Sequence, residues 1–414
     1  MNKIAYLRKC AAEKYDANDL ESAAEIGEIL LNEHWHNHNM WTVGYANDLF
    51  NLACVCEKLG DLERAAELFS DSARQTAVSE GEGLSYASRI MSLAAVFIQL
   101  GLIEPAFFMF GSVAAIHRRE VGAFHPLYAD SLYNLANAAA EAGRKKDAVR
   151  YHEEALKIRE NEGLVDDIIS SLHSIAFIYE AANDYEKAAS YAERAMRYSA
   201  GNEETFAAAC NYLAEIYESD RRYQDALNLY EQVLEITAVQ AGREHSAYLN
   251  AALRRANLLA LMERPHDALF AHEEVRDIFG RTTGTNHVFY ANCLRGMAML
   301  HKELGETARA ESLILEAMKI RRNMSEDIML DIAFLIRLYL QENDAEKALE
   351  ALIYALMISG SGSPEFSDFL NNLIEIFTKN KTPATADFIS SMEVLNDREK
   401  LRPILSKWHQ WEKD

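Results

Sequence analysis

Three arginines, Arg254, Arg295 and Arg337, stand 41 and 42 residues apart in a chain of 414 residues whose formal net charge is −22. A guanidinium is planar and presents paired donors that match a carboxylate or phosphate, so cations at one fixed interval in an acidic protein suggest an anion pocket. Asparagine recurs in the same way at Asn134, Asn211, Asn250, Asn257 and Asn292. These lie in stretches of helical periodicity, where asparagine is a mediocre former and its repeated use calls for a reason. A side-chain amide can donate to and accept from an extended backbone without reading its sequence. The same amides can bond neighbouring helices, and the arginines can pair with Glu215, Glu218 or Glu303.

Other chemistry is thinner. His34, His36 and His38 place three imidazoles within five residues, a density that zinc or nickel could use. On a helix, however, His34 and His38 share a face and His36 does not. The segment also reads as a turn, and no metal is expected there. His117, His152, His266 and His272 are scattered and read as surface residues. There is no glycine-rich phosphate loop, metalloprotease helix or nucleophile elbow, and no cofactor is expected. The five cysteines read as free thiols of a reducing compartment. Cys54 and Cys56, two apart on a helix, do not make a redox or metal pair. A charge of −22 opposes phosphate backbones and anionic lipid. No run approaches 18 apolar residues and no apolar stretch follows Met1. These features predict a cytoplasmic protein that binds neither nucleic acid nor membrane.

Such residues need a regular frame, and alanine marks it. Ala23, Ala65, Ala106, Ala148, Ala188, Ala226, Ala268, Ala310 and Ala348 follow one another at steps of 38 to 42 residues. Each sits early in an amphipathic stretch such as Asp61–Phe69 or Arg222–Tyr230. A second helix lies about fourteen residues upstream, as at Ala53, Ala136, Ala176 and Ala214. Gly60, Gly101, Gly143 and Gly305 punctuate the turn between the two, where the residue that ends a helix often takes positive φ. Each unit is therefore a helix pair, and the small residue marks close approach of two backbones.

At this level the chain resembles the tetratricopeptide repeat family, over roughly residues 3 to 395. The likeness rests on the small residue of the first helix (Ala53, Ala136), the aromatic three residues on (Tyr179, Tyr217) and the alanine of the second helix. The segment Gly122–Ala136 looks like the kinesin-light-chain-like subclass, with repeats of about 42 residues. His125, His245 and His287 lie 23 residues before their alanines, the subclass's helix-start position, where capping is the expected role.

The resemblance implies an all-α, right-handed superhelical solenoid of antiparallel helix pairs. About nine repeats are expected, followed by a divergent tenth pair (366–395) and a capping helix at 397–414. Residues 1–396 would form a single solenoid with a flexible break at 359–364. It also implies that positions 18, 15, 14, 11 and 8 before each alanine line a concave groove. Those positions hold the asparagines named above. They also hold Glu57, Asp130, Glu180, Glu215 and Glu218 in repeats two to six, and Arg254, Arg295, Lys302 and Arg337 in repeats seven to nine. The reading is a non-catalytic scaffold that binds a protein or peptide segment in this groove, with an acidic or carboxylate group at the arginines. Two alternatives stay open: a peptide-sensing regulator of the Rap type, and an enzyme using Tyr133, His173, Glu215 and Arg254.

Overall fold

In a computed structural model, which describes residues 3–37, 42–282 and 284–359, every ladder alanine is the fourth residue of an α-helix and is buried to 2% exposure or less. Its amide makes the first bond of that helix, as Ala65 N does to Asp61 O at 3.0 Å and Ala226 N to Arg222 O at 3.1 Å. A fixed distance from the helix start to the point of closest packing is what gives the ladder its regularity.

Eighteen α-helices and no strand occur among the described residues. The chain divides into two compact units, Met1–Ile216 and Tyr217–Asp414. The first carries α1 (Lys3–Asp16), α2 (Leu20–His36), α3 (Val43–Leu59), α4 (Leu62–Glu80), α5 (Leu84–Gln99), α6 (Ile103–Glu120), α7 (Pro126–Glu141), α8 (Lys145–Glu162), α9 (Val165–Glu180) and α10 (Tyr185–Tyr198). The division falls inside α11 (Glu203–Ser219). The second unit continues with α12 (Tyr223–Gln240), α13 (Ser246–Leu261), α14 (Pro265–Thr282), α15 (Val288–Glu303), α16 (Thr307–Asn323), α17 (Met329–Gln341) and α18 (Ala345–Ser359). Within each unit, helices pack against their sequence neighbours. The segment after Ser359, with the expected tenth pair and capping helix, lies outside the described residues. No helix among the described residues is long and apolar enough to cross a membrane.

A second small-residue ladder runs through the first helices. Ala53, Ala94, Ala136, Ala176, Ala214, Ala256 and Ala298 are all 0% exposed. Around the two ladders larger side chains fill the core: Phe107, Phe110, Leu132 and Leu135 in the first unit, and Ile314, Met318, Leu335 and Ile336 in the second. Alanine holds these positions because the interior is close-packed and a longer side chain would have to displace a neighbouring helix.

The turn before each ladder helix is also fixed. The residue five before the alanine has positive φ in all nine repeats: Asn18, Gly60, Gly101, Gly143, Asn183, Arg221, Glu263, Gly305 and Asn343. The four expected glycines are among them. Asparagine tolerates this region, whereas Arg221 (φ 61°) and Glu263 (φ 57°) carry a Cβ there at a cost. Arg221→Gly and Glu263→Gly are each expected to stabilise the fold by about 0.5–1 kcal/mol, since relief of that strain exceeds glycine's extra freedom when unfolded. A urea midpoint at or below wild type in both variants would show that the turn is not strained.

The subclass histidines cap first helices as expected. His125, His245 and His287 accept at Nδ1 from the amides of Leu127, Ala247 and Phe289 at 3.1, 3.3 and 3.2 Å. Second helices are capped by aspartate where the register supplies one, as Asp61 accepts from Arg64 N at 3.2 Å.

Candidate functional site

The cationic residues singled out by spacing lie on the first helices of the second unit's pairs. Asn250, Arg254 and Asn257 are on α13, Asn292 and Arg295 on α15, and Arg337 on α17. Asn250, Asn257 and Arg337 are exposed, and Arg254, Asn292 and Arg295 are half-buried. A cavity of about 450 Å³ opens between α13 and α15. It brings together Asn257, Asn292 and Arg295, with Leu253, Met299 and Glu303 around them. Asn250, Arg254 and Arg337 are not in its lining. His272 of α14 also lines this cavity; it is 1% exposed and its Nδ1 has no partner. Gly296 makes room for it, since a Cβ there would lie 2.4 Å from the ring. Burial pushes the His272 imidazole down to about 4, so the ring is neutral.

Arg295 is already engaged. Its Nε donates to Asp331, which is completely buried. Arg321, also buried, approaches the same carboxylate at 3.1 Å and donates to the Asn292 side chain. Of the pairings weighed for the arginines, a carboxylate does hold Arg295, but it is Asp331 rather than a glutamate. Farther along α15, half-buried Lys302 lies 5.6 Å from the Phe334 ring centroid. Burial, and then the Arg337 charge, hold its ammonium below the ordinary lysine value.

The Asp331 cluster belongs to a pattern that the sequence reading missed. Eleven residues after a ladder alanine stand His34, Thr76, His117, Arg159, Ser199, Thr237 and Arg321, all buried polar groups. Three of them reach a first helix whose residue 17 before its own alanine is also polar and buried. His34 Nε2 lies 2.7 Å from Asp48 Oδ2, Arg159 donates to Ser171 Oγ at 2.7 Å, and Arg321 meets Asp331. Each unit thus carries buried charge in its inter-helix contacts. The signal was present in the sequence as a polar slot at a fixed offset in an otherwise apolar register.

Two expectations about histidine are corrected by that register. His34 and His36 lie in the last turn of α2 rather than in a turn between repeats, and His38 falls outside the described residues. His34 is buried and committed to Asp48, which Arg8 also grips through both carboxylate oxygens. Of the four histidines read as surface residues, His266 is exposed, but His117, His152 and His272 are buried. His117 Nδ1 bonds the carbonyl of Leu127 at 3.0 Å. His152 and His272 share the offset of four residues after a ladder alanine, where the second helix faces its core.

In the first unit, Asn134 donates to Met91 Sδ at 3.7 Å and Asn211 to Glu215 on the same helix at 2.9 Å. Tyr133 accepts from Ser174 at 3.2 Å, and His173 packs edge-on to Tyr212. The fourth residue of the enzyme reading, Arg254, belongs to the other unit.

A tetratricopeptide repeat model matches residues 86–161, 204–281 and 248–323. A second model of the same repeat matches residues 171–204, and together they cover just over half of the chain. The chain is 25% identical over 280 residues to Protein KINESIN LIGHT CHAIN-RELATED 1 of Arabidopsis thaliana, a match covering 66% of this chain and 44% of that protein. It is 22% identical over 309 residues to KINESIN LIGHT CHAIN-RELATED 3 of the same plant, covering 73% and 47%. The chain therefore spans about half the length of the curated relatives it matches. Among solved structures, a kinesin light chain of Podosopora anserina with nearly identical TPR-like repeats is 25% identical with a TM-score of 0.43, covering 47% of this chain and 95% of that one. The apo form of RapI is 12% identical with a TM-score of 0.45, covering 68% and 98%.

Proposed function

The chain belongs to the tetratricopeptide repeat family, and on that footing we propose that it is a cytoplasmic scaffold that acts by binding rather than by catalysis. Its second unit holds a protein or peptide segment along the first-helix face of α13, α15 and α17. An acidic or carboxylate group of that segment meets the basic residues, and Asn250, Asn257 and Asn292 hold its backbone. In the first unit, Asn134 and Asn211 offer the same amide chemistry.

The observation that carries this reading is the placement of Lys302, a half-buried lysine of α15 that lies 5.6 Å from the Phe334 ring centroid of α17, the helix that also carries exposed Arg337. Burial, and then the Arg337 charge, disfavour its ammonium, and an incoming anion would relieve both. Arg254 is half-buried on α13, at a position that the repeat register assigns to the same face. Arg295 has spent one edge of its fork on Asp331, so it contributes to the shape of the cavity more than to its charge.

The experiment is a pull-down to identify the partner, followed by titration of that partner against single variants. Arg254→Ala and Arg337→Ala are expected to weaken binding on the order of tenfold, the worth of a charge-assisted hydrogen bond shielded from water. Added salt should weaken wild-type binding as well. Unchanged affinity in both variants, with folding intact, would remove the anion site.

A further inference from the structure

A second cavity, of about 530 Å³, lies wholly within the first unit and is lined by Asn137, Glu141, His152, His173, Phe177 and Tyr212, among others. We propose that it is a subsite for an arginine side chain of the bound segment, the guanidinium lying against the aromatic walls and donating to the two histidines and the nearby carboxylates.

The strongest support is His152. It is 0% exposed, yet neither ring nitrogen has a partner, and Nε2 of His173 is likewise buried and unpartnered. Burial, and then the Arg159 charge, hold His152 at about 4, and burial lowers His173. Both rings are therefore neutral, and each presents a lone pair that only a donor can satisfy. Arg159, the neighbouring cation, lies over the Tyr133 ring at 4.8 Å and is held there by Asp130 at 2.8 Å, Ser171 at 2.7 Å and the Asp167 carbonyl at 3.0 Å, its buried Nε alone being unpartnered.

The walls fit the same ligand. Tyr212, in the lining, stands edge-on to His173 at 5.1 Å. Phe177 is 65% exposed at the cavity, an aromatic face that packing within the fold does not use. Acidic groups surround it. Glu141 is in the lining, and Glu180 accepts from the Tyr212 hydroxyl at 3.3 Å; burial first, and then Glu180 and Glu215, raise that phenol's pKa. Acceptors, aromatic faces and negative charge converge, which favours a weakly hydrated, planar cation with several donors over a compact ammonium or an anion.

This deepens the proposed function, because it rests on a protein segment binding at the first-helix faces and gives that segment a basic residue as well as an acidic one. The test uses the full chain with isotope-labelled histidine at pH 7. It is titrated with N-acetyl-arginine methylamide, with the citrulline analogue, which keeps the shape but lacks the charge, and with the glutamate analogue. The ring signals of His152 and His173 should move with arginine at millimolar concentration, on the order of tenfold more weakly with citrulline, and not with glutamate. Phe177→Ala, an exposed change that leaves the core intact, should weaken the arginine response severalfold. No response to arginine, equal responses to arginine and citrulline, or a response to glutamate would each overturn the proposal. The probe does not involve Arg254 or Arg337. A partner whose binding depends on those residues, together with silent His152 and His173 signals, would sink this inference alone; an arginine response without any such partner would sink only the anion site.

Discussion

Asp331→Ala is expected to cost the second unit about 3–5 kcal/mol, enough to expose α15 to α17 under conditions where wild type is folded. Asp331 is 0% exposed and faces two guanidinium groups, Arg295 and Arg321. Burial, and then the Arg295 charge, press Arg321 below its ordinary value, and the Asp331 carboxylate pulls it back up. Removing the carboxylate leaves two like charges together in a poorly solvated contact, with no relief from deprotonation, because arginine keeps its proton. Asp331→Asn, which keeps the shape and one acceptor, should lose less. Amide hydrogen exchange across α15 to α17 reads this unit directly. Protection in Asp331→Ala within about 1 kcal/mol of wild type would mean that the buried charge is dispensable.

The second large effect is on acid stability. His152 and His272 each fall from 6.5 to about 4 in the folded chain, chiefly through burial. The folded state therefore favours the neutral ring, whereas the unfolded chain takes up a proton below pH 6.5. The contribution is fully present above that pH and is lost as pH falls from about 6.5 toward 4. At 1.36 kcal/mol per unit it amounts to about 3 kcal/mol for each histidine. The two residues lie in different units, so each unit should weaken separately. Urea denaturation at pH 7 and pH 5 should register about 2 kcal/mol of that loss for each histidine, because pH 5 lies 1.5 units below 6.5. His152→Phe and His272→Leu should each flatten the fall. If both variants weaken with acid as steeply as wild type, carboxylates rather than these rings set the acid limit.

The fold was legible in the sequence because one geometric requirement repeats. A small residue four positions into every second helix is forced by close backbone approach, and nine repetitions separate that signal from composition. The positive-φ turn was visible only where glycine filled it, at Gly60, Gly101, Gly143 and Gly305. Asn18, Asn183, Arg221, Glu263 and Asn343 occupy the same conformation without announcing it. The candidate site was less legible, because the identity of a side chain does not say which way its helix turns it. His152 and His272 look solitary along the chain, yet the offset of four residues from the alanine turns both into the core. Arg295 falls on a groove position by spacing, whereas its partner Asp331, 36 residues away, sits one position off that register. The same blind spot hid the polar slot eleven residues after the alanine, where His34, Arg159 and Arg321 each lock a second helix to a first helix.

The claim that the first-helix face of the second unit is the binding surface is tested most directly by crosslinking. A photoreactive phenylalanine analogue is placed at Asn257, exposed on α13, and in a second protein at Phe270, 70% exposed on α14. Asn257 should capture one discrete segment bearing an acidic or carboxylate group, Arg254→Ala should reduce the yield, and Phe270 should capture nothing in common with it. The same partner captured equally from Phe270, or none from Asn257 under conditions where the partner co-purifies, would place the binding surface elsewhere on the molecule.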